Sequence, residues 1–250
     1  MILAALFFIG IVLVSFEQWV LSYITIIGFV SLFFTNKEKR FMISLLFSFL
    51  IGYAIFLFFA NSVETLDITK EVRIILNRLF LAFIIIAVSI NHLIYNKKIT
   101  WYNNKPNWKN QIVLPFHKID TFTFWVIGIV VNVIVYLFLI LQKDLDSILS
   151  LFFFCLLFTL INAVFEELIW RGIMLSSLMQ HTSSFHAIIM TSVGFGLLHL
   201  AIGFSLFFCL LISIAGVIYA TITIKTNSIY PSIVFHMVIN IGMVYSGLII

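Results

Sequence analysis

The sequence predicts an all-α fold, a polytopic transmembrane helical bundle of about eight membrane helices within a range of seven to nine, and three observations carry that prediction. Of the 250 residues, 63% are hydrophobic and 10% are charged, against about a quarter charged in soluble domains, which excludes a water-soluble fold. The apolar residues form continuous runs instead of the alternating ten-residue pattern of lipid-facing strands, so a transmembrane barrel is excluded as well. A bilayer core needs roughly 20 apolar residues per helical crossing, so this length holds about eight crossings joined by short loops, with no room for a separate soluble domain.

The apolar runs fall at about 1–16, 20–34, 41–60, 74–95, 121–141, 147–165, 186–204, 205–224 and 231–249. The first lacks the basic flank and small-residue cleavage site of a secretory signal, so it is expected to be a retained membrane segment. It and the second, on either side of Glu17, are short for full crossings and fit tilted helices or one span with an interfacial piece. Lys37, Lys39 and Arg40 mark one loop, and Lys97, Lys98, Lys105, Lys109 and Lys118 another, which assigns 35–40 and 96–118 to the cytoplasm. The loops at 61–73 and 142–146, which mix acids and bases, then face outward, and Lys225 returns the last hairpin to the cytoplasmic side. The stretch from Trp101 to Pro115 is the least apolar part of the chain and reads as an interfacial segment with aromatic anchors. It divides a variable front part, 1–118, from the part holding the candidate site, 119–250.

Cys155 and Cys209 lie inside apolar runs with no CxxC pairing and are expected to be buried small hydrophobes. The net charge of +4 comes from basic residues between membrane runs, where they meet lipid headgroups. The expected partners are the lipid bilayer and a membrane-associated peptide or protein substrate, with no nucleic acid.

Ionisable groups are costly at membrane depth and mark a function or a buried pairing, so the few in the last apolar runs are informative. Glu166, Glu167 and Arg171 lie in FEELIWRG, His199 in FGLLH, and His236 with Asn240 in HMVIN. On a helix Glu167 and Arg171 share a face, while Glu166 is turned about 100° away. Glu166, without the direct arginine contact, is then the stronger candidate for the reacting carboxylate, and Glu167–Arg171 the supporting pair. His236 and Asn240 are one turn apart and can both face Glu166; Phe195 is one turn before His199 and forms a wall beside it. The set contains a proton acceptor for water, donors for a developing oxyanion and a donor for a leaving amine, which are the needs of peptide hydrolysis. No Gly-flanked serine elbow or HExxH helix is present. A polar network that only fastens helices together is the structural alternative.

FEELIWRG at 165–172, FGLLH at 195–199 and HMVIN at 236–240 resemble the three motifs of the CAAX prenyl protease and bacteriocin-processing family, also called the Abi family. The resemblance covers about 120–250, and Gly216–Tyr219 and Thr226–Pro231 resemble the usual lead-in to the last motif. It implies an intramembrane endopeptidase of a multi-pass, bacterial plasma-membrane protein, acting on a prenylated or other membrane-associated peptide. By that resemblance Glu166 and His199 activate water, His236 and Asn240 stabilise the oxyanion, and Arg171 with Glu167 supports the site. Members are called metalloproteases, and Glu166, His199 and His236 could supply three zinc ligands with water at the open position. Activation of water by glutamate without a metal is preferred, because Asn240 is a poor zinc ligand but a good amide donor.

Two other functions use the same residues: a bacteriocin-immunity or peptide-binding protein that needs no turnover, and a small transporter with a Glu/His proton relay. The complete motifs favour the enzyme over the first, and the lack of internal repeat symmetry disfavours the second. One geometric tension is visible. If the helix after Ser183–Ser184 starts at the membrane surface, His199 lies about 20 Å deep but His236 only about 8 Å.

Overall fold

The computed structural model describes residues 2–113 and 117–249. Pro115, the end of the expected interfacial stretch, lies outside the described residues. Nearly everything else is helical, as a chain surrounded by lipid requires in order to satisfy its backbone groups internally. In chain order the helices are α1 (Ile2–Ser15), α2 (Trp19–Thr35), α3 (Arg40–Glu64), α4 (Lys70–Leu79), α5 (Ala82–Ile94), α6 (Thr121–Ile140), α7 (Leu145–Ser150), α8 (Phe152–Glu167), α9 (Ser176–Met179), α10 (Ser184–Leu197), α11 (Leu206–Thr226) and α12 (Tyr230–Tyr245). A π-helical segment, Leu168–Leu175, joins α8 to α9, and a 3-10 segment, Leu198–Ile202, extends α10.

Among the described residues six helical stretches are long and apolar enough to cross a membrane: Lys37–Glu64, Lys70–Ile94, Thr121–Ile140, Phe152–Met179, Ser184–Ile202 and Leu206–Thr226. The chain is therefore a multi-pass membrane protein. The six fall below the expected seven to nine because α1, α2 and α12, of 14, 17 and 16 residues, are apolar but shorter. The chain is almost entirely α-helical, as the sequence predicts, with one short ribbon besides. Gln111–Val113 and Lys118–Asp120 form a two-stranded antiparallel pair, β1 and β2, inside the amphipathic stretch before α6, where polar backbone lies beyond the apolar runs.

Side-chain caps start several helices where the chain re-enters the bundle: Thr69, Asp144, Ser183 and Ser205 each accept from a backbone N–H in the first turn. At Asp144 the N–H and hydroxyl of Ser147 hold the carboxyl below its usual range, so the α6–α7 loop keeps its negative charge.

The front helices pack into the same core as the rear ones. The Phe49 ring lies 5.3 Å from Phe7 and 4.9 Å from Trp170, which sits in the π segment beside Arg171. Helices α10 and α11 approach closely because of two glycines. A Cβ at Gly196 would run into the Ser213 hydroxyl and the Cys209 carbonyl, and one at Gly216 would come within 2.9 Å of the Ser192 backbone. Small residues at such crossings let helices approach without a hydrophobic driving force. Here they bring Phe195 of α10 onto Tyr219 of α11, with ring centroids 6.0 Å apart.

The loops sort to two ends of the bundle. Residues 102–110 lie over the α11–α12 turn: Ile229 N–H donates to the Tyr102 carbonyl at 2.8 Å, Asn107 N–H to the Thr226 carbonyl at 2.8 Å, and Asn110 Nδ2 to the Lys225 carbonyl at 2.7 Å. Phe41, next to the Lys37–Arg40 turn, packs on His92, Tyr95 and His181. The basic loops thus share one end. At the other end Asn61 bonds Glu17, Arg73 pairs with Glu64 at 3.2 Å, and Ile74, Leu151 and Ile249 gather around Phe154 and Phe158.

Candidate active site

The glutamate motif sits midway along the continuous helical stretch Phe152–Met179, and Glu166 and Glu167 are 5% and 0% exposed. The turn after them is π-helical, a distortion that recurs at functional sites. Arg171 within it donates from Nη1 to Glu167 Oε1 at 2.9 Å and from Nη2 to the Gly216 carbonyl at 3.1 Å. Its guanidinium lies over the rings of Phe195 and Tyr219, 4.7 and 4.9 Å from their centroids. The expected Glu167–Arg171 pair is present and fully buried.

Glu167 does more than pair with the arginine. Its Oε1 also meets His236 Nδ1 at 3.1 Å. A carboxylate accepts, so Nδ1 carries the proton of that bond and His236 Nε2 is turned to Glu166, 3.6 Å from its Oε2. Stacking on Tyr219, with centroids 5.0 Å apart, holds the imidazole plane. His199 is fixed in the same manner. Its Nδ1 donates to the Phe195 carbonyl at 3.0 Å, which leaves Nε2 as the free ring nitrogen.

The Phe195 ring touches both imidazoles, 5.3 Å from His199 and 5.8 Å from His236, so the two histidines reach one depth. This removes the 20 Å against 8 Å tension. The α11–α12 turn does not start at the surface: Thr226, Ser228 and Ile229 are buried beneath residues 102–110, so α12 begins inside the bundle.

Glu166, His199, His236, Asn240, Phe195 and Tyr219 line one cavity of about 780 Å³. Two buried polar atoms of these lining residues have no hydrogen-bond partner among the described residues, the acceptor Glu166 Oε2 and the donor Asn240 Nδ2. An unpaired polar atom at this burial costs free energy, so each invites a ligand atom.

One residue of this site escaped the sequence reasoning. Arg78, on α4, reaches across from the front part of the chain, with Nη1 at 3.6 Å from Glu166 Oε1 and 3.3 Å from Asn162 Oδ1. The expectation that Glu166 has no arginine beside it is therefore corrected. The signal was an arginine among Ile74, Ile75, Leu76, Leu79 and Phe80, since a cation within an apolar run implies a partner. Two buried carboxylates are thus matched by two guanidinium groups. We expect Arg78→Ala to lower any cleavage rate about ten- to a hundredfold, or roughly 1.4–2.8 kcal/mol, with Arg78→Lys recovering part of it. Rates compared at equal amounts of folded protein are the check.

The zinc reading is also corrected. Among the described residues no group of three or more His, Cys, Asp and Glu side chains is arranged to hold a metal ion. Glu166 and His236 approach each other, but the set of Glu166, His199 and His236 does not close around a point, and the Arg78 cation stands beside the one carboxylate it would use. Cys155 and Cys209 are free and buried, and they too take no part in a ligand set.

Residues 147–242 match the family described as Rce1-like, Type II CAAX prenyl endopeptidase Rce1-like. That segment is Rce1-like. It contains all three motifs that carried the resemblance, and it begins after α6, which the resemblance had included. No curated protein and no solved structure matches the chain. The Rce1-like segment supplies both glutamates, both histidines and the amide, while Arg78 comes from outside it.

Proposed function

We propose that the chain is an intramembrane endopeptidase that hydrolyses a peptide bond of a prenylated or otherwise membrane-associated peptide or protein. The observation that carries this reading is the presence, in one cavity, of a Glu166 carboxylate oxygen that accepts no hydrogen bond among the described residues and an Asn240 amide nitrogen that donates none, with His236 Nε2 at 3.6 Å from that oxygen. Glu166, assisted by His199 Nε2, takes a proton from water, and the resulting hydroxide adds to the scissile carbonyl. Asn240 Nδ2 and His236 donate to the oxyanion that forms. The carbon–nitrogen bond then breaks as the proton held on Glu166 passes to the leaving amine. Glu167 orients His236 through Nδ1, and Arg171 neutralises Glu167, so both are positioning residues. Arg78 offsets the charge of Glu166.

In this reading 119–250 is the catalytic core and 1–118 the variable part, which nonetheless contributes Arg78. The three shorter apolar helices also cross the membrane, for nine crossings, the top of the expected range.

The test is cleavage of prenylated, acylated and unmodified peptides by the purified protein in liposomes, with products identified by mass. Asn240→Ala removes one oxyanion donor, and such a loss lowers the rate by roughly 10²–10³-fold. The expected outcome is measurable residual cleavage at unchanged fold. An Asn240→Ala variant as fast as the parent would remove this residue from the mechanism.

A further inference from the structure

The cavity has a direction. From its deep wall at Phe195, Tyr219 and His236 it runs past Arg78 to Asn61, Glu64 and Lys70 and to Leu248 and Ile249. Those residues belong to the last turn of α3, the first residue of α4 and the chain after α12, all at the end of the bundle where Arg73 pairs with Glu64. Among the described residues none from the basic loops contributes to the lining.

The charges of the two ends differ in sign. Nine of the fourteen cations, Lys37 to Arg40, Lys97 to Lys118 and Lys225, lie at the end covered by residues 102–110, with two of the ten acids, Glu38 and Asp120. The mouth end holds three cations, Lys70, Arg73 and Lys143, and six acids. The remaining four charged groups, Arg78, Arg171, Glu166 and Glu167, form the buried site. Short loops rich in Lys and Arg stay in the cytoplasm, so nine cations against three orient the whole bundle with the cavity mouth on the opposite face.

We propose that the site opens to the extracytoplasmic face and takes its peptide from the outer leaflet of the membrane. The peptide class rests on the proteolytic reading above; the orientation does not. The mouth offers Asn61, Glu64 and Lys70, and the cavity walls carry Phe56, Ile74, Phe158 and Met243 as an apolar surface. That sequence of surfaces suits an amphipathic peptide lying in the outer leaflet, delivered by secretion or from outside the cell. A chain end presented from the cytoplasm would meet the closed, basic end.

The test is labelling by a membrane-impermeant maleimide of intact cells. The background is Cys155→Ala with Cys209→Ala, carrying Asp67→Cys in the mouth loop, Leu248→Cys in the cavity rim, or Lys105→Cys at the basic end. Full labelling of Asp67→Cys and Leu248→Cys in intact cells, with Lys105→Cys labelled only after permeabilisation, is the expected result. The reverse pattern overturns the proposal, and so does labelling of Asp67→Cys with Leu248→Cys protected, because the cavity would then be shut on the outer side. A phosphatase reporter fused after residue 249, active only outside the cytoplasm, gives the same information if the cysteine-free background folds poorly; an inactive reporter on a folded chain overturns the proposal. Labelling needs no turnover. An outward mouth in a protein whose function survives loss of Glu166 would leave the orientation intact and remove the proteolytic reading alone.

Discussion

Glu166→Gln is expected to yield a folded protein with almost no turnover, a loss of roughly 10²–10⁴-fold or more for removal of a positioned general base. The amide matches the carboxylate in size and can still bond at the site, but it cannot take a proton from water. Folding should survive because Arg78 keeps Asn162 as an acceptor and the buried Glu167–Arg171 pair is untouched. His199→Ala should behave similarly, since the one hydrogen bond of its side chain among the described residues is to the Phe195 carbonyl one turn before it. Cleavage assays run beside size-exclusion profiles separate the two quantities. If both variants retain the biological effect of the parent, catalysis is not what the cell uses, and the immunity or peptide-binding function takes its place. A transporter would instead show both variants losing proton-coupled flux with no peptide cleaved by the parent.

Arg171→Ala is expected to fail differently, with folded protein lost together with activity. The substitution strips the cation from Glu167, which is 0% exposed, and removes a donor from the Gly216 carbonyl on the neighbouring helix. It also empties the space over Phe195 and Tyr219, the rings that flank His236. Breaking a buried pair on one side costs on the order of 3–5 kcal/mol, because the remaining charge has no compensation. Thermal unfolding in detergent should show a large drop, and Glu167→Gln combined with Arg171→Met should restore part of the stability without restoring cleavage. An Arg171→Ala protein as stable as the parent would mean that Glu167 finds another partner.

The contrast between these two variants follows from a division of labour that was only half visible beforehand. Spacing showed that Glu167 and Arg171 share a face and that His236 and Asn240 share another, because residues four apart on a helix are neighbours whatever the fold. Spacing could not show that Glu167 would grip His236 as well, which depends on α8 and α12 meeting at one height. Nor could it place Arg78. That residue is eighty-eight positions before Glu166 and outside the Rce1-like segment, and its partner was decided by the packing of α4 against α8. The zinc set failed for the same reason. Three residue types suited to a metal were present in the sequence, but the directions in which the ring nitrogens point are set by Glu167 and the Phe195 carbonyl, which spacing does not reveal.

What the sequence determined alone was the class of the molecule and the inventory of its chemistry. Apolar runs of helical length, basic loops and a handful of ionisable groups in the last spans follow from composition and order, since lipid admits few structures and tolerates few charges. What the tertiary structure decided was convergence and direction. The close α10–α11 crossing at Gly196 and Gly216 brings Phe195 onto Tyr219, on which His236 of α12 stacks, the cover of residues 102–110 sets the depth of α12, and the cavity runs to the acidic end of the bundle. Each depends on contacts between residues far apart in the chain, and local periodicity carries no record of which helix faces which.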